Sequence, residues 1–546
     1  MTAIRLPVSR AASPFAPFRN RVFFWLWLGV VCSSIGTWGQ TVGAQWLFVN
    51  DPHATTIVPL VQTASTLPMM LLALPAGVLA DAFDRRWMLL AIQIYAIAVA
   101  VLLACLTAAD LMPPALLLAF VFAAGAGMAM NSPTWQSLIT ELVPRDEIAA
   151  ATRLDMVSVN VSRAAGPAIA GFVIAAWGVP PVFALNAVLT TVLAGVLLLW
   201  RRPAADRGER ERFLPALRAG GRYVRHEPVI RTILLRFVTF VFPAGAVWAL
   251  LPLIASRQLG LAASGYGIMF AALGAGAVVG ALSLGTLKRH LSSNAILAVA
   301  AGLFAAAFAG LALTSSLAVA IPLLVMCGFG WASTVTTITA ELQLFVPGWV
   351  RARALGILLM VFLGTQAVTA PLWGLVTARL GLRPTLLICA ALLVVSTLMV
   401  VVLRVPDSQN LDRSPLAYWD TPRFAIEPDG ASPVTVSIRY QVHPDQQAAF
   451  VAAMQPMRRS RLRSGAIRWN LYRVGEDPNL LVEQFDVDSW HEHQRQHDER
   501  LTAEDQAIEH AAFAHLADAP QPQHLLPATE QLLRGERSDR AQPAKP

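Results

Sequence analysis

The chain carries the same landmarks twice, 203 residues apart. Pro144 recurs as Pro347 (347 − 144 = 203), Gly171 as Gly374, Gly178 as Gly381 and Pro181 as Pro384. The stretch Gly77-Val-Leu-Ala-Asp81-Ala-Phe-Asp84-Arg85-Arg86 recurs as Gly280-Ala-Leu-Ser-Leu284-Gly-Thr-Leu-Lys288-Arg289, again at 280 − 77 = 203. Glycines, prolines and paired cations mark helix ends and close helix contacts, so one register kept over a hundred residues points to a duplicated helical bundle.

The segments between these landmarks are apolar. Of 546 residues, 55% are hydrophobic and 14% charged, against about one quarter charged in soluble globular proteins. At about 20 apolar residues per crossing, twelve spans are expected near 22–48, 57–80, 87–108, 113–135, 155–176, 181–200, 232–256, 265–286, 293–313, 318–341, 354–377 and 384–404. Lys and Arg resist translocation. The side of the bundle that holds both termini carries 22 of them, the other side three, Arg257, Arg379 and Arg383. A multi-pass protein of the inner or plasma membrane is expected, with both termini cytoplasmic.

Net charge divides at Arg404. Up to it there are 27 Lys+Arg and 13 Asp+Glu, a net +14; beyond it there are 15 and 21, a net −6. The basic excess lies in short loops, where topology accounts for it, so no nucleic-acid partner is expected. The arginines before the first apolar run superficially resemble a signal peptide, but the run is too long and lacks a small-x-small cleavage site, so it reads as the first span. Cys32, Cys105, Cys327 and Cys389 each fall inside an apolar run and read as small packing residues.

The expected domains are a cytoplasmic arm 1–20, a six-helix half 21–200, an interdomain linker 201–231, a second half 232–404, a linker 405–431, a soluble module 432–530 and a disordered tail 531–546. Nine arginines against four acids fill the interdomain linker. Phe213, Leu214, Leu217 and Val224 alternate there with Arg218, Arg222 and Arg225, which fits a helix in the headgroup plane; Gly220-Gly221 favours a solvated linker instead. Past residue 432 the pattern is strand (Val434–Val442), helix (Asp445–Arg463), two strands (Ala466–Val474 and Leu480–Val487), a helix from Asp488 to about Ala517 and a last strand near His524–Leu526. That is the split βαβ order of a ferredoxin-like α+β domain.

With the repeat, the spans and the charged hairpin in hand, the chain resembles the major facilitator superfamily. Gly77, Leu79, Asp81, Arg85 and Arg86 match its G-x-L-x-D-x-x-G-R-[RK] signature, with Asp84 where the signature has glycine. Asn131-Ser-Pro, Leu142-Val-Pro144, Arg163-Ala-Ala-Gly166-Pro167 and Val346-Pro-Gly-Trp-Val-Arg351-Ala-Arg353 are similar to enterobactin-exporter-like transporters, a group that includes transmembrane secretion effectors. The tail run from Trp490 through His493, His497 and Arg500 to Asp505 resembles a dimeric module of the antibiotic-biosynthesis-monooxygenase type. The resemblance implies an all-α bundle of twelve membrane helices in two six-helix pseudo-repeats, followed by the small α+β domain, with homodimerisation through that domain as a possibility.

It also implies roles. Gly77, Asp81, Arg85 and Arg86, with Lys288 and Arg289 in the second half, match an interdomain latch in which Asp81 meets the start of span eleven near Val350–Ala354. For Arg85 and Arg86 the alternative is topology alone. Gly166, Pro167 and Gly171 match part of an antiporter packing motif. Spans one, four, seven and ten would line the cavity, contributing Trp38, Gln45, Asn131, Trp135, Trp248, Trp331 and Thr334.

From the residues themselves, Arg163 is a charge inside a span and has to face protein or water. It either binds an anionic solute or pairs with Asp155. Arg236 reads as snorkelling to the interface. Glu341, Glu141 and Asp155 are the candidates for proton coupling, Glu341 first. His493 and His497 stand at i and i+4, a spacing that can bind metal, but no third ligand is evident, and neither a metal nor another cofactor is expected.

The function expected is proton-coupled efflux of an amphipathic small molecule, a siderophore, drug or secondary metabolite, by alternating access in the lipid bilayer. The chain lacks a G-x-x-x-x-G-K-[ST] nucleotide loop. The alternatives are import, or a membrane-tethered enzyme or sensor in which the module acts on the solute or reports it.

Overall fold

The computed structural model describes residues 15–200, 213–406, 416 and 430–527, with the side chains of 73, 74, 77, 78, 80–82 and 213–219 outside that description. The expected disordered tail, most of the N-terminal arm and much of both linkers therefore lie outside the described residues. Two compact units form, one from Met1–Arg210, Leu234–Thr339 and Gly356–Val405, the other from Glu211–Ile233, Ala340–Leu355 and Pro406–Pro546.

Six helices make the first half: α1 (Arg21–Leu47), α2 (Ala54–Ala82), α3 (Arg85–Ala108), α4 (Pro114–Leu142), α5 (Ile148–Trp177) and α6 (Pro180–Leu199). A linker helix, α7 (Phe213–His226), precedes the second half: α8 (Pro228–Ala244) continued by α9 (Ala246–Leu253), α10 (Ala263–His290), α11 (Ser293–Leu313), α12 (Leu317–Phe345), α13 (Gly348–Leu380) and α14 (Leu382–Leu398). Among the described residues eleven runs, with Pro228–Gln258 counted as one, are long and apolar enough to cross a membrane, and α14 is a shorter twelfth. At about 1.5 Å per residue its 17 residues nearly span a hydrocarbon core of about 30 Å. Several helices run past the apolar stretch: α4 continues to Leu142 and α5 begins at Ile148.

The repeated landmarks have repeated causes. Gly178, after α5, and Gly381, after α13, sit at φ +84° and +87°, a backbone region that penalises any Cβ. Gly171 touches the α10 backbone at Gly267 and the Ala263 carbonyl, while its counterpart Gly374 touches the α2 backbone at the Thr55 carbonyl. Span eight is span two of the second half, so equivalent glycines make equivalent contacts across the bundle. A further pair obeys the offset (328 − 125 = 203): Gly125 of α4 lies against the Ser65 carbonyl of α2, and Gly328 of α12 against the Leu273 carbonyl of α10. Lipid gives apolar helices little reason to associate, so backbone contact of this kind has to supply the attraction.

Local capping fixes the loops. Asn20 accepts from the amides of Val22 and Phe23 and donates to the Leu142 carbonyl, tying the start of α1 to the end of α4. Asp84 accepts from the amides of Arg86 and Trp87, so the residue that departs from the glycine signature is the N-cap of α3. Arg86 donates to the carbonyls of Leu197 and Leu198, both 2.9 Å, capping the C-terminus of α6. Arg236 corrects an expectation. It is buried instead of snorkelling, and it donates to the Ser396 carbonyl and hydroxyl in the last turn of α14, where helical carbonyls lack an internal partner.

In the second unit, strands β1 (Val434–Gln441), β2 (Ala466–Arg473), β3 (Leu480–Val487) and β4 (Gln521–Leu525) form an antiparallel sheet in the order β2-β3-β1-β4. Helix α15 (Gln447–Ser464) joins β1 to β2, which completes the ferredoxin-like order. The helix expected from Asp488 to about Ala517 is broken into α16 (Trp490–Arg495), a wide turn and α17 (Ala503–Phe513), because Thr502 and Asp505 form a capping box that starts a new helix. Of the two readings of the linker, the helix is the one that forms. Helix α7 forms through Gly220-Gly221, and Tyr223 and Val224 are buried within this unit. Tyr223 packs edge-on to Trp349, Gly220 lies against the Arg353 side chain, and Glu227 pairs with Arg463 of α15 at 2.5 Å.

Two outcomes are expected. Gly328→Val, whose new side chain meets helix backbone, should cost about 1–3 kcal/mol and remove the monodisperse peak of detergent-extracted protein, whereas Gly285→Val, which has open space, should leave it intact. The module should also be acid-labile. Burial first, then neighbouring imidazoles, lowers His493 to about 4 and His497 to about 2. Both are neutral when folded, so their contribution is complete above the ordinary histidine value of about 6.5 and is lost as pH falls towards about 4. Hydrogen exchange of β1 and α15 amides in the full chain should accelerate over that window and not between pH 7 and 8.

Candidate functional site

Gly166 of α5 packs on the Trp38 side chain and the Ile35 carbonyl of α1, with no room for a Cβ. Pro167 follows and cannot donate to the carbonyl of Arg163, four residues back. The close approach sets Arg163, one turn earlier, against the Trp38 ring, with its guanidinium carbon 5.1 Å from the ring centroid. Both residues line a cavity of about 250 Å³ within the first unit.

An aromatic chain forms one wall of this cavity. Trp38 meets Phe270, Phe270 meets Trp248, Trp248 meets Trp331 and Trp331 meets Phe362, with centroids 6.1, 5.4, 5.5 and 5.9 Å apart. The lining also includes polar uncharged groups, Gln45 and Thr41 of α1, Gln62 and Ser65 of α2 and Gln366 of α13. Arg163 is the one charged side chain among the described lining residues. Its Nε and the Trp248 Nε1 are buried without a hydrogen-bond partner among the described residues. Such walls can hold an amphipathic solute that brings its own acceptors.

The hydrogen bonds that join the two halves around this cavity, among the described residues, lie towards one end. Gln45 donates to the Trp248 carbonyl at 3.2 Å and accepts from Tyr266 at 2.5 Å. Gln45 and Trp248 are themselves 203 residues apart, so this contact sits on the axis that relates the repeats. Thr63 donates to the Ala367 carbonyl at 2.9 Å and Arg257 to the Asp51 carbonyl at 3.0 Å. With the Gly171 and Gly374 contacts, these seal the end of the bundle that carries Arg257, Arg379 and Arg383.

Other expected residues fall elsewhere. Asn131 accepts from Gln93, and Thr334 is buried; neither they nor Trp135 line the cavity. Asp155 accepts from Trp135 Nε1 at 2.8 Å, while the Arg163 guanidinium lies over the Trp38 ring at the cavity. Arg85 pairs with Glu141 and donates to the Ser137 carbonyl, which binds the α3 start to α4. The side chains of Gly77 and Asp81 lie outside the described residues. Lys288 and Arg289 occupy the last turn of α10, where cations suit the helix dipole. Glu341 is fully buried near the end of α12.

The tail motif is absorbed by internal contacts. Nε2 of His493 lies 3.1 Å from Nε2 of His524 and 3.3 Å from that of His497, and its Nδ1 contacts Gln496. Arg500 bonds Glu492 and the Ser464 carbonyl and stacks over Trp349 at 4.5 Å, while Asp505 accepts from Arg463, Ser460 and Thr502. Among the described residues no group of three or more His, Cys, Asp or Glu has the arrangement of a metal site.

Among the cavity residues missed from sequence are Gln62 and Ser65 of α2, Phe270 of α10 and Phe362 and Gln366 of α13, which stand outside the four spans expected to line it. Lone glutamines in otherwise apolar helices were the available signal. A second omission is the buried set Glu483, Arg461 and Tyr440 in the module, joined by half-buried Trp469, with Tyr440 2.6 Å and Trp469 2.7 Å from Glu483. Glu483 alternates with apolar neighbours on an inward strand face, where a carboxylate needs several donors.

Known proteins agree with this architecture. A family profile described as transmembrane secretion effector matches residues 12–531. The chain is 24% identical over 155 residues to the staphyloferrin A transporter of Staphylococcus aureus, which is 28% of this chain and 39% of that one. It is 27% identical over 333 residues to the enterobactin exporter of Salmonella typhimurium, 59% of this chain and 76% of that one. The chain spans 39% and 51% of the lengths of two of the relatives it matches. Among solved structures it is similar to a D-xylose-proton symporter (TM-score 0.58, 13% identity, 71% of this chain and 98% of that one) and to the nucleoside transporter NupG (0.59, 12%, 70% and 100%), which shows a shared fold. Profile, repeat and bundle together establish that the chain belongs to the transmembrane secretion effector family of major facilitator membrane transporters.

Proposed function

We propose that the chain exports an amphipathic, siderophore-like small molecule by alternating access, driven by protons. The observation that carries this is a cavity bounded by both halves and sealed at one end. The count of cations, 22 against three, makes the sealed end external and the termini cytoplasmic. The cavity then takes its solute from the cytoplasm, the loading state of an exporter. The names of the relatives, a staphyloferrin A transporter and an enterobactin exporter, support a siderophore-like cargo. The module regulates transport in this reading, since its Arg500 covers Trp349 at the start of α13 and its Arg463 pairs with Glu227 ahead of α8.

Glu341 is the coupling group we favour. Glu341 lies fully buried in span ten, where changing its protonation state is tied to access by water.

The deciding experiment compares medium and cell extract by untargeted mass spectrometry in a deletion strain and its complemented parent, with and without iron limitation. A compound that leaves the medium and accumulates in cells is expected; a medium compound left unconsumed would establish import. In proteoliposomes, Glu341→Gln should cut uptake driven by a pH gradient about tenfold or more, with solute binding unchanged. Equal loss of binding would make Glu341 structural.

A further inference from the structure

We propose that the central cavity recognises its solute as an anion, with Arg163 as the anchoring cation; this rests on the transport reading above and narrows it to a substrate class. Three observations carry it. Arg163 is the one charged group among the described lining residues, and no carboxylate shares the cavity to neutralise it. Its companion is the face of Trp38, which holds a guanidinium by its quadrupole without cancelling the charge. Arg163 Nε and Trp248 Nε1 are buried donors without partners among the described residues, and an unmet donor in a low-dielectric site is costly until an acceptor arrives.

Its neighbours in the bundle underline the contrast. Arg85 has Glu141, Arg86 has two helical carbonyls, and Arg236 has the Ser396 carbonyl and hydroxyl, although its Nε and Nη2 are also without a hydrogen-bond partner among the described residues. Asp155, the acid that could have neutralised Arg163 from the same helix, is held by Trp135. Arg163 thus stands in the cavity against an aromatic face, with no carboxylate among the described lining residues. A volume of about 250 Å³ is just under the range of about 300–1,000 Å³ typical of ligand pockets. It suits a ring-sized acidic head, carboxylate or ionised phenol, laid along the Trp248, Phe270 and Trp331 wall with its oxygens at Arg163.

The test uses the full chain in lipid nanodiscs and a matched pair of probes, 1-naphthoate and its neutral isostere 1-naphthamide, titrated by calorimetry at pH 7.4. The acid is expected to bind about tenfold or more tightly than the amide, to weaken by a similar factor in Arg163→Gln, and to recover in Arg163→Lys. Equal affinity for acid and amide, preference for the amide, or binding of neither by the unaltered protein would overturn the proposal. So would an Arg163→Gln protein that elutes as a single peak and binds the acid as before. The acid and amide comparison decides the matter even where that variant fails to fold. Anion recognition can fail while the deletion strain still shows efflux, so the two readings fall separately.

Discussion

Close contact between helix backbones is the constraint on which the bundle depends. In a bilayer a leucine gains nothing by leaving lipid for another leucine, so association has to come from surfaces that fit better than lipid does. Gly125 on Ser65, Gly328 on Leu273, Gly171 on Gly267 and Gly374 on Thr55 supply such surfaces at positions related by the repeat. The first two pack span four on two and span ten on eight within each half. The last two join the halves at the end that carries Arg257, Arg379 and Arg383. The same close packing, at Gly166 on Trp38, forms the cavity wall.

Charge is the second constraint. Every cation placed in or beside the hydrocarbon costs free energy unless something answers it. The ends of α6 and α14 present carbonyls without helical partners, and Arg86 and Arg236 answer those needs. These caps come from different positions in the two halves, so here the repeat does not extend from sequence to structure. The cation at 163 follows neither pattern.

The second unit joins soluble and membrane-adjacent segments through two arginines. Arg463 is shared between Asp505 and Glu504 of the module and Glu227 before span seven. Arg500 is held by Glu492 and covers Trp349 at the start of span eleven. Each arginine keeps a carboxylate of its own module, so the fold of the module does not rely on the contact. The segment ahead of span seven thereby packs against the module within this unit.

The sequence by itself determined the duplicated bundle, the number of spans and the ferredoxin-like order of the tail, because these follow from local rules: apolar length, helix-ending glycine and proline, and strand alternation. The offset of 203 even marked Gly178 and Gly381, whose backbone angles only glycine adopts freely. Tertiary structure alone decided what each polar group meets. Whether Arg163 faced Asp155 or the cavity, whether Arg236 reached the interface, and whether Gln62 and Gln366 joined the cavity wall all turn on which helix lies opposite. Periodicity gives the face of a helix but not its neighbour, so those pairings rest on packing between helices, from 20 residues apart for Trp135 and Asp155 to 304 for Gln62 and Gln366.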